Sequence, residues 1–150
     1  MIEKLVIAAL GGIFGALVVF WFTIGYQRVS QKRELQGILK GELEQNLTFL
    51  EDIRATHIFL RDDGWNMFRN RGGLVYISEE LYGKLVEAYK LLSLINVEVN
   101  KERDTKLSDV NSERLNEMIQ NLQSSIKVLL GDKEINEKIK WRNMILWWKI

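Results

Sequence analysis

The sequence predicts an all-α protein, an N-terminal single transmembrane helix followed by a small helical bundle. Three observations point there. From Leu5 to Tyr26 the chain reads LVIAALGGIFGALVVFWFTIGY, without a charge. Proline is absent from all 150 residues. Beyond the apolar run, hydrophobic residues recur at steps of three and four, the mark of amphipathic helices.

The apolar run is about 33 Å long as a helix, against a hydrocarbon core of ~30 Å. With no water in that core to satisfy the backbone, a helix is the form it takes. A secretory signal has a shorter apolar region and a small-residue cleavage site. This run ends instead in Trp21, Phe22, Tyr26, Gln27 and Arg28, an aromatic belt with a basic edge, and reads as a retained anchor over residues 1–27. Arg28, Lys32, Arg33 and Lys40 follow it, whereas Lys4, beside Glu3, is the one basic side chain before it. The positive-inside rule then places the N-terminus outside and residues 28–150 in the cytoplasm as a helical domain. Within the span, Gly11 and Gly15 form a G-x-x-x-G, and Ala8, Gly12 and Ala16 continue a face of small residues suited to helix–helix packing and to a homo-oligomer.

In the domain, Leu35, Leu39, Leu43, Leu47, Leu50 and Ile53 form the first stripe, with no break between it and the anchor. Gly37 and Gly41 weaken that helix slightly and would admit a neighbouring helix closely. Arg61-Asp62-Asp63-Gly64 reads as a turn whose carboxylate caps a short helix around Trp65–Phe68, ended by Arg71-Gly72-Gly73. Leu74–Ile77 is expected to be a connecting loop with buried side chains. Ser78 is the expected N-cap of the next helix, with Glu79 and Glu80 at its positive end. That helix carries Leu81, Leu85, Ala88, Leu92, Ile95 and Val99, and Tyr82, Val86 and Tyr89 widen its apolar face. Asn100–Ser108 is expected to turn the chain into a helix bearing Leu115, Ile119, Leu122, Ile126 and Leu129, closed by Gly131 as its C′ residue.

The last segment, 132–150, reads as an amphipathic Trp/Lys-rich helix with two apolar stripes. Ile135, Ile139, Leu146 and Ile150 make one. Trp141, Met144, Ile145 and Trp148 make the other, with Lys138, Lys140, Arg142, Lys149 and Trp147 between or beside them. One stripe suits the bundle, the other a protein partner or the membrane surface, where Trp and Lys/Arg are favoured neighbours; a central helix buried on both faces would use both stripes.

Composition excludes several function classes. A formal charge of +1 and interleaved acids and bases give no basic stripe for nucleic acid. Without cysteine there is no disulfide, thiolate catalysis or Cys-based zinc site. His57 is the sole histidine, and no nucleophile turn accompanies it as a triad would need. Gly72-Gly73 lacks the phosphate-loop pattern, the acid pairs 62/63 and 79/80 sit at helix starts, and no catalytic residue, metal or cofactor is expected. Asn46-Leu47-Thr48 matches a glycosylation sequon, which would be inert in a cytoplasmic helix.

Three polar residues stand out. Glu42 and Asn46, four apart, border the first stripe, and Asn96 sits beside the third helix's seam. If buried they must be hydrogen-bonded and could fix helix register, with Glu42 able to reach an arginine on another helix. Around them the order LKGELEQNLTFL, GWNMF, LVYISEELYGKLVEAYKLLSLIN resembles a loose group of uncharacterised single-span prokaryotic membrane proteins. The likeness lies in the anchor, the basic flank, a Glu-x-x-x-Asn helix (Glu42, Asn46), a Trp (Trp65) and a Leu/Tyr-rich helix ending near Asn (Asn96). Ser78 stands where that group often has Pro. The resemblance covers residues 1–100 and implies a helical cytoplasmic domain from a prokaryotic or viral source, with no activity to carry over.

Two functions fit the sequence. One is a non-enzymatic interaction or scaffolding module tethered to membrane lipid, recruiting a protein partner at the cytoplasmic face. The other is a holin-like or toxin-like effector that perturbs the bilayer through its Trp/Lys-rich tail.

Overall fold

A computed structural model describes residues 2–56, 58–105 and 112–136. All elements among them are helical: α1 (Ile2–Thr56), α2 (Asp63–Asn70), a 3-10 turn (Gly73–Tyr76), α3 (Glu79–Thr105), α4 (Ser112–Gly131) and α5 (Lys133–Asn136). The chain divides into two compact units, and the described part of the first is the α1 portion up to Arg33. That portion is long and apolar enough to cross a membrane. Its large side chains, among them Leu10, Phe14, Val19 and Trp21, are exposed rather than packed in a protein core. Ala8, Gly11, Gly12, Gly15 and Ala16 all lie on α1, and a Cβ added at any of the three glycines would meet nothing within 4 Å. Among the described residues nothing covers the three glycines, and Ala16 is exposed.

The second unit, residues 34–137, is an up-down-up-down bundle. α1 runs up, and the chain then returns beside it through residues 58–62 and α2. The contacts fix that direction: Arg61 meets Asn46, Gly64 and Trp65 meet Glu42, and Arg71 meets Glu34. The 3-10 turn leads into α3, which ascends so that Tyr89 reaches Glu42. α4 descends against α3, and α5 closes the end where α1 enters. There Gln36 donates to the carbonyl of Glu134, and Lys40 donates to Asn136 Oδ1 at 2.8 Å.

The stripes read from the sequence form one core. Leu35, Leu39, Leu43, Leu50 and Ile53 from α1, all six α3 positions from Leu81 to Val99, and all five α4 positions from Leu115 to Leu129 are buried, joined by Trp65, Phe68 and Ile135. Leu47 packs at its edge. Ser78 Oγ accepts the Leu81 N–H at 3.2 Å and caps α3 as expected.

Several local expectations are corrected. Asp62 makes no side-chain capping bond to α2, and Asp63 pairs instead with Arg61 at 3.3 Å. Leu74–Ile77 is not a loop with buried side chains: most of it forms the 3-10 turn, and Leu74 and Val75 are exposed. Gly37 and Gly41 admit no close neighbour. α3 runs on to Thr105, so Asn100–Thr105 is helix rather than turn; the rest of that expected turn lies outside the described residues. Gly131 ends α4 without the left-handed conformation of a C′ glycine, since Gly72, at φ 76°, is the positive-φ glycine among the described residues. Asp132 instead starts α5 by accepting the Glu134 N–H at 2.9 Å. His57 and the tail bearing Trp141, Met144, Ile145, Trp147 and Trp148 lie outside the described residues.

Gly73 is required by packing, because a Cβ there would lie 2.6 Å from the Phe68 carbonyl and 2.7 Å from its ring. Gly73→Ala is expected to destabilise the bundle by about 1–3 kcal/mol, the usual cost of overpacking. Urea unfolding of the full chain in detergent, followed by circular dichroism, measures it.

Candidate functional site

The polar centre of the bundle is built from α1. Residues 58–62 belong to no helix or strand, so neither a helix nor a ladder is there to take their N–H and C=O groups. A buried backbone group without a partner costs about as much as a lost hydrogen bond. Two asparagine amides fill the role of a neighbouring strand. Asn46 Oδ1 accepts the Arg61 N–H at 2.7 Å, and its Nδ2 donates to the Arg61 carbonyl at 2.7 Å. Asn96 does the same for the preceding residue, accepting the Leu60 N–H at 2.8 Å and donating to the Leu60 carbonyl at 2.9 Å. Each primary amide presents one donor and one acceptor side by side, as a peptide group does, and so clasps both polar groups of one residue. Asn46 is 0% exposed and Asn96 half-buried.

Glu42, 7% exposed, performs the next step along the same chain. Its Oε2 accepts the Gly64 N–H at 2.5 Å and its Oε1 the Trp65 N–H at 3.0 Å. These are orphan donors of the first turn of α2, the groups a local N-cap would otherwise satisfy. The carboxylate also lies at the positive end of the helix dipole. Glu42 is thus a cap supplied from another helix. It takes the place expected of Asp62, and its partners are backbone amides and a phenol rather than an arginine. Gly64 is needed for this approach, because a Cβ there would lie 3.0 Å from the Glu42 carboxyl carbon.

Tyr89 Oη donates to Glu42 Oε1 at 2.6 Å, a short charge-assisted bond. Burial, and then that bond to the carboxylate, raise the Tyr89 pKa well above the ordinary tyrosine value. The Tyr89 ring stacks on Trp65 with centroids 5.2 Å apart and planes 10° from parallel. Phe68 stacks beyond at 6.1 Å, and the Arg69 guanidinium lies 5.8 Å from the Trp65 ring centroid. One carboxylate therefore joins α1, α2 and α3, while the aromatic rings shield it from water. Every buried side-chain nitrogen and oxygen among the described residues has a hydrogen-bond partner.

The structure brings Glu42, Asn46 and Asn96 to one contiguous seam, and Tyr89, read from the sequence as part of an apolar face, joins them. The signal that could have placed Tyr89 is its phenol, which needs a partner when buried. This arrangement holds chain and caps a helix. Among the described residues no group of three or more His, Asp or Glu side chains is placed to hold a metal ion. The chain matches no protein-family model, no curated protein and no solved structure.

The geometry sets three expected outcomes. Glu42→Gln keeps the shape but turns an acceptor into a donor facing donors, so it is expected to cost about 1–3 kcal/mol in urea unfolding. Asn46→Leu, which leaves the Arg61 backbone unpaired, should cost a similar amount. The raised Tyr89 pKa favours folding below the unfolded value of ~10, and that contribution is lost as pH rises past it, because only the unfolded tyrosine then ionises. The stability difference between the wild type and Tyr89→Phe should therefore shrink between pH 8 and pH 11, measured by the same unfolding at each pH.

Proposed function

We propose that this protein is a membrane-tethered, non-enzymatic interaction module whose helical bundle works at the cytoplasmic face. One observation carries the reading. The helix that holds the apolar, membrane-length segment is also the helix that supplies Glu42 and Asn46 to the bundle's polar centre. Both belong to one helix, Ile2–Thr56.

Two further features support it. The polar groups at the centre are committed to backbone atoms and to one another, an economy suited to holding a surface rather than to turning over a substrate. And α3, with its inner face buried, leaves Tyr82, Val86, Leu94 and Val97 exposed on its outside, an apolar surface of the kind protein partners cover. Confinement near a bilayer raises the effective concentration of even a weak partner site without any new contact. The cations Arg28, Lys32 and Arg33 after the span support the cytoplasmic orientation.

The absence of cysteine makes the test direct. Ser124 is exposed on α4. A Ser124→Cys variant in intact cells is expected to resist a membrane-impermeant maleimide and to react once the membrane is opened. A photo-crosslinker at Val97 should then give a protein adduct that one at the exposed Glu87 does not. Labelling of Ser124→Cys in intact cells overturns the orientation. Bilayer leakage on expression, abolished by Trp141→Ala, Trp147→Ala and Trp148→Ala together, overturns the module in favour of a membrane-perturbing effector.

A further inference from the structure

We propose that the outer face of α3 pairs with the same face of a second copy of this chain, antiparallel and in one register. The inference rests on the reading of that face as a partner surface, names the partner, and concerns the bundle alone.

Two faces of α3 carry the same repeat. Inward, the six buried positions from Leu81 to Val99 alternate steps of four and three. Displaced by two residues, about 200° round the helix, Gly83, Glu87, Lys90, Leu94 and Val97 follow the same alternation. All five are exposed, Leu94 and Val97 each at 48%. A four-three alternation is the seam along which one helix meets another. The bundle fills the inner seam with α1 and α4.

Charge and shape say what fills the outer one. On α3, Lys84 pairs with Glu80 at 2.6 Å and Lys101 with Glu98 at 2.9 Å, whereas Glu87 and Lys90 have no ion pair among the described residues. These two are neighbouring seam positions of opposite sign. A second α3 turned end for end sets its Lys90 against Glu87 and its Glu87 against Lys90, so one two-fold axis makes both pairs. The same register sets Leu94 of each copy against Gly83 of the other. A Cβ at Gly83 would meet nothing within 4 Å, so the single chain leaves a notch there that a leucine side chain can fill.

Other arrangements lose this match. In parallel, Lys90 would meet Lys90 and Glu87 would meet Glu87. One heptad away in the antiparallel sense, Lys90 would face Leu94 and Glu87 would face Val97. Like charges and unmatched charges at a seam are how helices reject wrong registers. Exposed ion pairs are individually weak, so the pairing is one that confinement of the copies makes effective.

The test uses the full chain in detergent micelles, one batch carrying Gly83→Cys and another Leu94→Cys, with no other cysteine in the sequence. On oxidation the mixture is expected to give a disulfide-linked dimer, and either batch alone several-fold less. Glu87→Lys in both batches, or Lys90→Glu in both, lowers the mixed yield by about tenfold or more, since like charges then meet. Glu87→Lys in one batch and Lys90→Glu in the other restores it, because one copy is then basic at both positions and its partner acidic. A dimer linked mainly through like positions within one batch overturns the antiparallel register. A mixed yield that ignores both reversals overturns charge as the basis of the pairing. No link at all, with a photo-crosslinker at Val97 still capturing a different protein in cells, overturns the second copy as partner and leaves the interaction module standing. No adduct at Val97 of either kind overturns the partner surface, and the pairing with it. A photo-crosslinker in place of Glu87 removes the carboxylate the pair needs and stays silent even when the pairing holds.

Discussion

The bundle depends on how the irregular segment 58–62 is pinned at Leu60 and Arg61 to the helices on either side of it in the sequence. A helix carries its own hydrogen bonds, and a strand borrows them from a neighbour. This segment has neither, and at Leu60 and Arg61 its backbone groups are paired by side chains. Asn46 and Asn96 supply them from opposite walls, each clasping one residue, and Glu42 takes over where α2 begins. The return arm is too short to be a full helix matching α1 over the same height. Pinning its upper part as irregular chain allows the second of four arms to cover the bundle with only the eight residues of α2.

The pins are interdependent, which gives them more consequence than their net energies suggest. A typical buried hydrogen bond contributes only about 1 kcal/mol net, because water would have bonded the same groups. The asymmetry lies in removal. Taking Glu42 away would strand two α2 amides and the Tyr89 hydroxyl together, in a site that Trp65, 5% exposed, closes to water. The same carboxylate needs glycine at position 64, and the ring that covers it needs Tyr89 as its stacking partner. Register along α1 and α3 is consequently specified by polar geometry, where leucine contacts alone would tolerate a shift of one turn.

What the sequence made legible, and what it hid, divides along the same physical line. Leu35 to Ile53, Leu81 to Val99 and Leu115 to Leu129 repeat with the period of the helix, so their buried faces could be read directly. Glu42 and Asn46 could be singled out because polar residues four apart beside a leucine stripe conflict with the surrounding pattern. Their partners could not be read, since capping from another helix is a tertiary event with no local signature. Asp62 has the composition of an N-cap, yet the Glu42 carboxylate from α1 bonds the amides it would have taken. Gly131 likewise has the residue type of a C′ position without its conformation, because the chain continues at once into α5. The 3-10 turn was hidden by the brevity of Gly73–Tyr76, four residues being too few to show any period.

The two halves of α1 stay helical for different reasons. From Leu10 to Tyr26 the side chains are almost all apolar, the stretch is long and apolar enough to cross a membrane, and its most apolar window has no residue buried, so packing in a protein core does not hold it. From Leu35 onward one face is buried by the bundle and the helix is held by packing. Between them residues 27–34 have neither support in full, and they carry Arg28, Lys32, Arg33 and Glu34. Intrinsic propensity, good for Gln, Arg, Lys and Glu, and propagation from a nucleus at each end favour the helix there. At the far edge of this stretch Glu34 pairs with Arg71 at 2.8 Å.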